Sequence, residues 1–180
     1  IGLPGDLNEG MEKVEKIPGF GGKVKEVEDA MNKAAEVAAQ DAIDVFIKAI
    51  ELLNFEKVRD ILEGEDDAAT QFFEGATRKE LFGDFYPIMK EKLGKFEVIE
   101  EVDKILHAFN KIPFCKAPAF DVETFCANKA LDGLFLIVAE EEFRIRNDPE
   151  ARKVVAILEE VFGHPDAGKG KKGKKNEPTA

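Results

Sequence analysis

The chain has 180 residues and a formal net charge of −11, with 37 acidic residues against 26 Lys and Arg. That length suits one domain burying about 70% of its unfolded surface, so neither a metal nor a disulfide is needed for folding. Five lysines against Glu177 in residues 168–180 leave −15 on residues 1–167, which argues against nucleic acid as a partner; no apolar run reaches the length of about 18 residues that a membrane-spanning helix needs.

Residues 1–21 hold Pro4, Pro18 and five glycines around a short amphipathic piece, 7–17, for which the sequence allows either docking on the body or independence from it. From Gly22 to Leu53 there is no Pro and no further Gly. Val24, Val27, Met31, Ala34, Ala38, Val45, Ala49 and Leu52 recur at spacings of three and four, with Asp41 the polar residue on the stripe, so 22–53 is one helix or two. Ile43, Phe46, Ile47, Ile50 and Leu53 add a second apolar face, which predicts that this half is covered on two sides.

Asn54 fits an N-cap for a helix over 55–63, which Gly64 ends. Asp66 or Asp67 suits the next cap, and Thr77-Arg78-Lys79-Glu80 has the spacing of a capping box after Gly75. Pro87, inside the pattern Leu81, Phe82, Phe85, Ile88, Met89 and Leu93, either kinks that helix or begins a new one. A helix over 95–110 carries Val98, Ile99, Val102, Ile105, Leu106 and Phe109 on one face, and 111–120, with Pro113 and Pro118, reads as an ordered apolar loop. Asp121 caps a long helix to about Arg146, and Asp148-Pro149 starts a last one to Phe162, closed by Gly163 and Pro165. No stretch alternates with period two and no repeat of 20 to 50 residues is present. The expected fold is all-α: a single domain over 22–163, of about seven or eight helices around a buried central segment, 130–139, preceded by the Gly/Pro-containing segment 1–21 and followed by a disordered Lys-rich tail, 164–180.

The residues that invite chemistry each have a structural alternative. Cys115 and Cys126 would bridge in an oxidising compartment; otherwise they are two small buried hydrophobes. His107 and His164 form no pattern with them for nucleophilic catalysis or zinc, and Glu63, Glu65, Asp66 and Asp67 lack the spacing of a calcium loop. Glu140 and Glu142 stand four residues before Arg144 and Arg146, the arrangement of surface pairs. Asp132 is the one charged side chain between Ala130 and Ala139, so it is expected to be partly buried and paired, with Arg152, Lys129 or Arg78 as partner. Fifteen phenylalanines and no Trp either fill a core or line an apolar cavity, for which Phe46, Phe72, Phe73, Phe85 and Phe135, with Asp132, are the candidate lining. The Lys-rich tail suits contact with an anionic surface.

The run Lys129-Ala130-Leu131-Asp132-Gly133-Leu134-Phe135, followed by Ala139-Glu140-Glu141-Glu142, Ile145-Arg146, Asp148-Pro149, Ala151-Arg152 and Val161-Phe162-Gly163, resembles the C-terminal signature of the domain-of-unknown-function 4197 family. Met31-Asn32-Lys33-Ala34-Ala35-Glu36, Ala49-Ile50, Phe55, Ile61-Leu62-Glu63-Gly64, Ala68-Ala69-Thr70-Gln71-Phe72-Phe73 and Phe85-Tyr86-Pro87-Ile88 match in the same order, so the resemblance covers about residues 22–163. It implies a fold and, because the bacterial relatives look exported, an extracytoplasmic location after removal of a targeting segment, with which a chain starting at Ile1 agrees. It implies no activity. No nucleophile, base and orienter stand together in the sequence, so the expected function is a non-enzymatic binding or interaction module, without cofactor or metal, holding an apolar small molecule or docking on a protein partner. An accessory subunit of a larger assembly is the alternative, and a hydrolase or lyase using Asp132 and a glutamate the least supported.

Overall fold

The structure, a computed structural model, describes residues 1–4, 13–53 and 58–163. Most of the 7–17 piece, the Asn54 cap and the start of its helix, and the Lys-rich tail with the Pro165 stop lie outside the described residues. Among the described residues the chain forms eight helices and no strand: α1 (Lys23–Asp41), α2 (Ile43–Glu51), α3 (Val58–Leu62), α4 (Ala68–Lys95), α5 (Val98–Phe109), α6 (Val122–Asn147), α7 (Pro149–Arg152) and α8 (Ala156–Phe162). The all-α expectation holds. The chain divides into two compact units, one of Ile1–Lys48 with Glu80–Leu131, the other of Ala49–Lys79 with the chain from Asp132 onward.

In the first unit α1 buries Val27, Met31, Ala34 and Ala38, the seam that the three-and-four spacing predicts. It packs against α5, which buries Val98, Val102, Ile105, Ala108 and Phe109. From α4 the unit takes Leu81, Phe85, Met89 and Leu93, at every fourth residue, and from α6 it takes Val122, Cys126, Ala127 and Leu131. The polar interruption of the α1 stripe is explained by its partner: Asp41 accepts an ion pair from Lys92 at 2.6 Å, and the Lys92 stem is buried. Tyr86 and Lys90 of α4 both donate to Glu123 of α6, at 2.8 and 3.1 Å. Residues 1–4 dock on this unit. Leu3 is buried, its N–H donates to Glu28 at 2.9 Å, and Asn32 bonds both the amino group and the carbonyl of Ile1.

The 22–53 stretch is two helices, separated at the fully buried Ala42. Its second half is not covered on two sides, because Ile43, Ile47 and Ile50 each stay at least half exposed. Farther on, the structure departs from local sequence signals in two places. The Thr77 capping box does not form: α4 runs unbroken through Gly75, Thr77 and Pro87, and the Thr77 hydroxyl donates to the carbonyl of Phe73 at 2.7 Å inside the helix. The segment after Pro149 is two short helices, because Arg152 turns back to donate to the last carbonyls of α6, Ile145 and Arg146, at 3.1 Å each. The caps at Asp121, accepting from Thr124 N–H at 3.0 Å, and at Asp148, accepting from Glu150 N–H at 2.9 Å, form as expected. The Thr124 N–H also holds the Asp121 carboxyl below its ordinary range.

Candidate functional site

The second unit is organised by one ion pair that joins three helix ends. Glu142 of α6 accepts from the backbone N–H groups of Ala69 and Thr70 at 2.9 and 2.7 Å and from the Thr70 hydroxyl at 2.7 Å, so it caps the start of α4 from a distant part of the chain. Arg146, one turn later, donates to Glu142 at 2.7 Å and to the carbonyls of Ile61 and Leu62 at 2.9 and 3.1 Å, which closes the end of α3. Its guanidinium lies 5.1 Å from the Phe162 ring, so α8 is held too. Side-chain exposure is 5% for Arg146 and 8% for Glu142. The i,i+4 pairing is as expected, but it is buried rather than on the surface, because both partners spend their remaining hydrogen-bonding capacity on helix termini. Its neighbour Arg144 pairs with Glu141 at 3.1 Å, not with Glu140.

Above this pair lies an apolar groove of about 540 Å³. The end of α2 supplies Ile50 and the chain just after it Leu53; the first turns of α4 supply Ala69, Thr70 and Phe73; α6 supplies Ile137, Val138, Glu141, Glu142 and Ile145; and Phe162 of α8 lines it too. Phe135 packs edge to face beneath Phe73, with centroids 5.6 Å apart and planes at 65°. The groove exists because α6 is apolar on more of its circumference than its neighbours cover. Leu131 and Phe135 are buried, whereas Leu136 and Ile137 are 60% and 64% exposed, so 130–139 is buried along one stripe and open along another.

Of the candidate lining residues, only Phe73 faces the groove, with Phe135 under it. Phe72 is half-buried and outside the lining. Phe46 and Phe85 belong to the other unit, where Phe85 is a core side chain. Asp132 pairs with Arg78, one of its three expected partners, but its side chain is 45% exposed, because its position falls on the open side of α6. An exposed pair of this kind contributes about 0.2–1 kcal/mol. Asp132→Ala is therefore expected to lower unfolding free energy by no more than about 1 kcal/mol; a loss near 3 kcal/mol in urea denaturation would show the site to be more buried than described. Ile50, Leu53, Ile137, Val138, Ile145 and Phe162 were not among the expected site residues, although Ile137, Val138, Glu141 and Ile145 stand at the three-and-four spacing of a single helix face.

A family model described as a protein of unknown function, DUF4197, matches residues 1–163. The chain belongs to the DUF4197 family. No curated protein and no solved structure matches it. The DUF4197 match begins earlier than the resemblance over 22–163 suggests, which agrees with the docking of Ile1 and Leu3 on Glu28 and Asn32.

Among the described residues of this DUF4197 chain, no group of three His, Cys, Asp or Glu is arranged to hold a metal, and no helix is long and apolar enough to cross a membrane. Cys115 and Cys126 are free thiols, without the bridge an oxidising compartment would favour. Cys126 is fully enclosed on the buried face of α6, and burial pushes its thiol up to about 12, so almost none of it is thiolate at neutral pH. Brief alkylation of the native DUF4197 protein is expected to label half-buried Cys115 and leave Cys126 unmodified until denaturant is added. Equal labelling of both under native conditions, read by peptide mass spectrometry, would contradict that packing.

Proposed function

We propose that this DUF4197 protein is a non-enzymatic binding module whose binding surface is the apolar groove of the second unit. The observation that carries the reading is the groove itself: about 540 Å³ of space lined almost wholly by Ile, Leu, Val, Ala and Phe side chains and left open. Most of the large apolar side chains exposed among the described residues belong to the same unit, including Ile50, Leu52, Ile137, Phe143 and Ile157. Monomeric proteins rarely leave contiguous apolar surface of this kind without a use for it.

The hydrolase or lyase reading has less support. Asp132, the carboxylate it names, is already engaged by Arg78, and Glu142, the buried glutamate of the same unit, by three donors of α4 and by Arg146. A general base needs a lone pair directed at substrate, and Glu142 has none to spare.

The test is binding of an environment-sensitive apolar dye such as anilinonaphthalene sulfonate. Ile50→Asp and Ile137→Asp alter side chains that are half exposed or more, so each is expected to keep the melting curve and lower dye affinity at least tenfold. Unchanged dye affinity in both variants would remove the groove as the binding surface.

A further inference from the structure

We infer that the turn at residues 111–116, in the first unit and independent of the groove, is a lipid anchor that sets Phe114 into an anionic bilayer surface while Lys111 and Lys116 meet its phosphates. Residues 104–120 hold no carboxylate, the longest such run in a chain with 37 acidic residues. Of its lysines, Lys104 is held by Glu101 at 2.6 Å, whereas Lys111 and Lys116 are exposed and have no carboxylate partner among the described residues. Phe114 stands between these two. It is more exposed than any other large apolar side chain described, and its φ of 63° is left-handed, a conformation that a bulky residue adopts only under strain. The backbone around it holds it there: the Cys115 N–H donates to the Ile112 carbonyl at 3.1 Å, and the Ala117 N–H donates to the Asn110 side chain at 2.8 Å, tying the end of the turn to its start. A strained ring fixed outward in this way points to a contact outside the chain.

Charge and surroundings select the lipid surface. A protein interface needs about 800 Å² per partner and is depleted in lysine at its core, but here a lysine lies within three residues of the ring on either side. A fluid bilayer needs no matching pocket, and an apolar tip between cations suits the boundary of its headgroups and acyl chains. Pro113 and Pro118 are exposed beside the ring and extend the apolar contact. The net charge of −11 repels an anionic surface at long range, but within a Debye length of about 8 Å at physiological ionic strength the nearby charges decide. Of the carboxylates that flank the run, Asp121 is engaged at the start of α6 by the Thr124 N–H. One anchor of this kind binds weakly and reversibly, and the five lysines of residues 168–180 supply a second signal of the same sign.

The experiment uses the full chain and vesicles of phosphatidylcholine with or without phosphatidylglycerol. The chain has no Trp, so Phe114→Trp places a single reporter at the tip. Its emission should shift to the blue on the anionic vesicles and be quenched by brominated acyl chains, while the neutral vesicles should bind about tenfold more weakly or less. In cosedimentation, Phe114→Gly suits the left-handed backbone and should keep the melting curve, yet lower affinity for the anionic vesicles about tenfold. The double variant Lys111→Glu with Lys116→Glu should lose at least as much, and added salt should weaken the native protein toward it. Affinity unchanged in both variants, the result if the five lysines of residues 168–180 alone held the surface, would overturn the inference. So would equal binding of neutral vesicles, or a Trp that stays red and unquenched on vesicles that carry the protein. Absence of vesicle binding would overturn it too, and a self-dimer in sedimentation that Phe114→Gly dissolves would then make the turn a protein contact.

Discussion

Replacing Arg146 by Ala is expected to lower unfolding free energy by about 3–5 kcal/mol, the largest single-residue effect in the second unit. The substitution leaves Glu142 without a countercharge at 8% side-chain exposure and removes the donors for the carbonyls of Ile61 and Leu62. Glu142→Ala should cost a similar amount by the complementary route: Arg146 is left charged and buried, and the Ala69 and Thr70 N–H groups lose their acceptor. Glu142→Gln keeps one acceptor oxygen and gives up the charge, so its loss should fall between those of Glu142→Ala and the native protein. Because the two side chains act as one unit, the double variant Glu142→Ala with Arg146→Ala should lose less than the sum of the singles. Urea denaturation of the native protein and the four variants supplies every number required. A loss below about 1 kcal/mol for Arg146→Ala would mean that the pair is solvated and organises nothing.

That cap also marks where the sequence stopped being legible. The Asp121 and Asp148 caps, the Met31, Ala34 and Ala38 seam and the α5 stripe were readable because each depends on residues within a few positions of one another. The start of α4 was not, since its cap comes from Glu142, more than seventy residues away. A local competitor, Thr77 with Glu80, looked right by spacing, but the Thr77 hydroxyl satisfies the Phe73 carbonyl instead. The break after Arg152 has the same origin, because a side chain spent on the carbonyls of Ile145 and Arg146 is invisible to periodicity.

The groove was half legible. Its apolar α6 wall was evident in the sequence, but an all-round apolar helix predicts only that something covers it, not whether the cover is part of the same chain. Reading 130–139 as wholly buried supplied a covering that Leu136 and Ile137 do not have. The same assumption set Asp132 too deep: expected partly buried and paired, it is paired with Arg78 as one of the options had it, but stands 45% exposed on the open side. Counting phenylalanines also could not separate rings that face the groove from rings that fill the first unit, because both kinds recur at helical spacing.

Phe85→Ala tests that separation. Phe85 was a candidate for an apolar ligand site, but it is 2% exposed and stands in the α4 stripe with Leu81, Met89 and Leu93, all buried. Deleting a ring from such a position loses its transfer free energy and leaves a cavity that close-packed neighbours cannot fully collapse, at a cost of about 3–5 kcal/mol. A ring lining an open groove behaves differently: Phe73→Ala enlarges a space already open on one side, so its cost should be smaller and its effect should appear in dye affinity. The two substitutions are thus expected to dissociate. Phe85→Ala should lower the urea midpoint strongly while leaving dye affinity of the folded fraction unchanged, and Phe73→Ala should weaken dye binding with a lesser loss of stability. If Phe85→Ala instead abolished dye binding at little cost in stability, a ligand site would lie in the first unit, and the groove along α6 would lose its claim to be the binding surface.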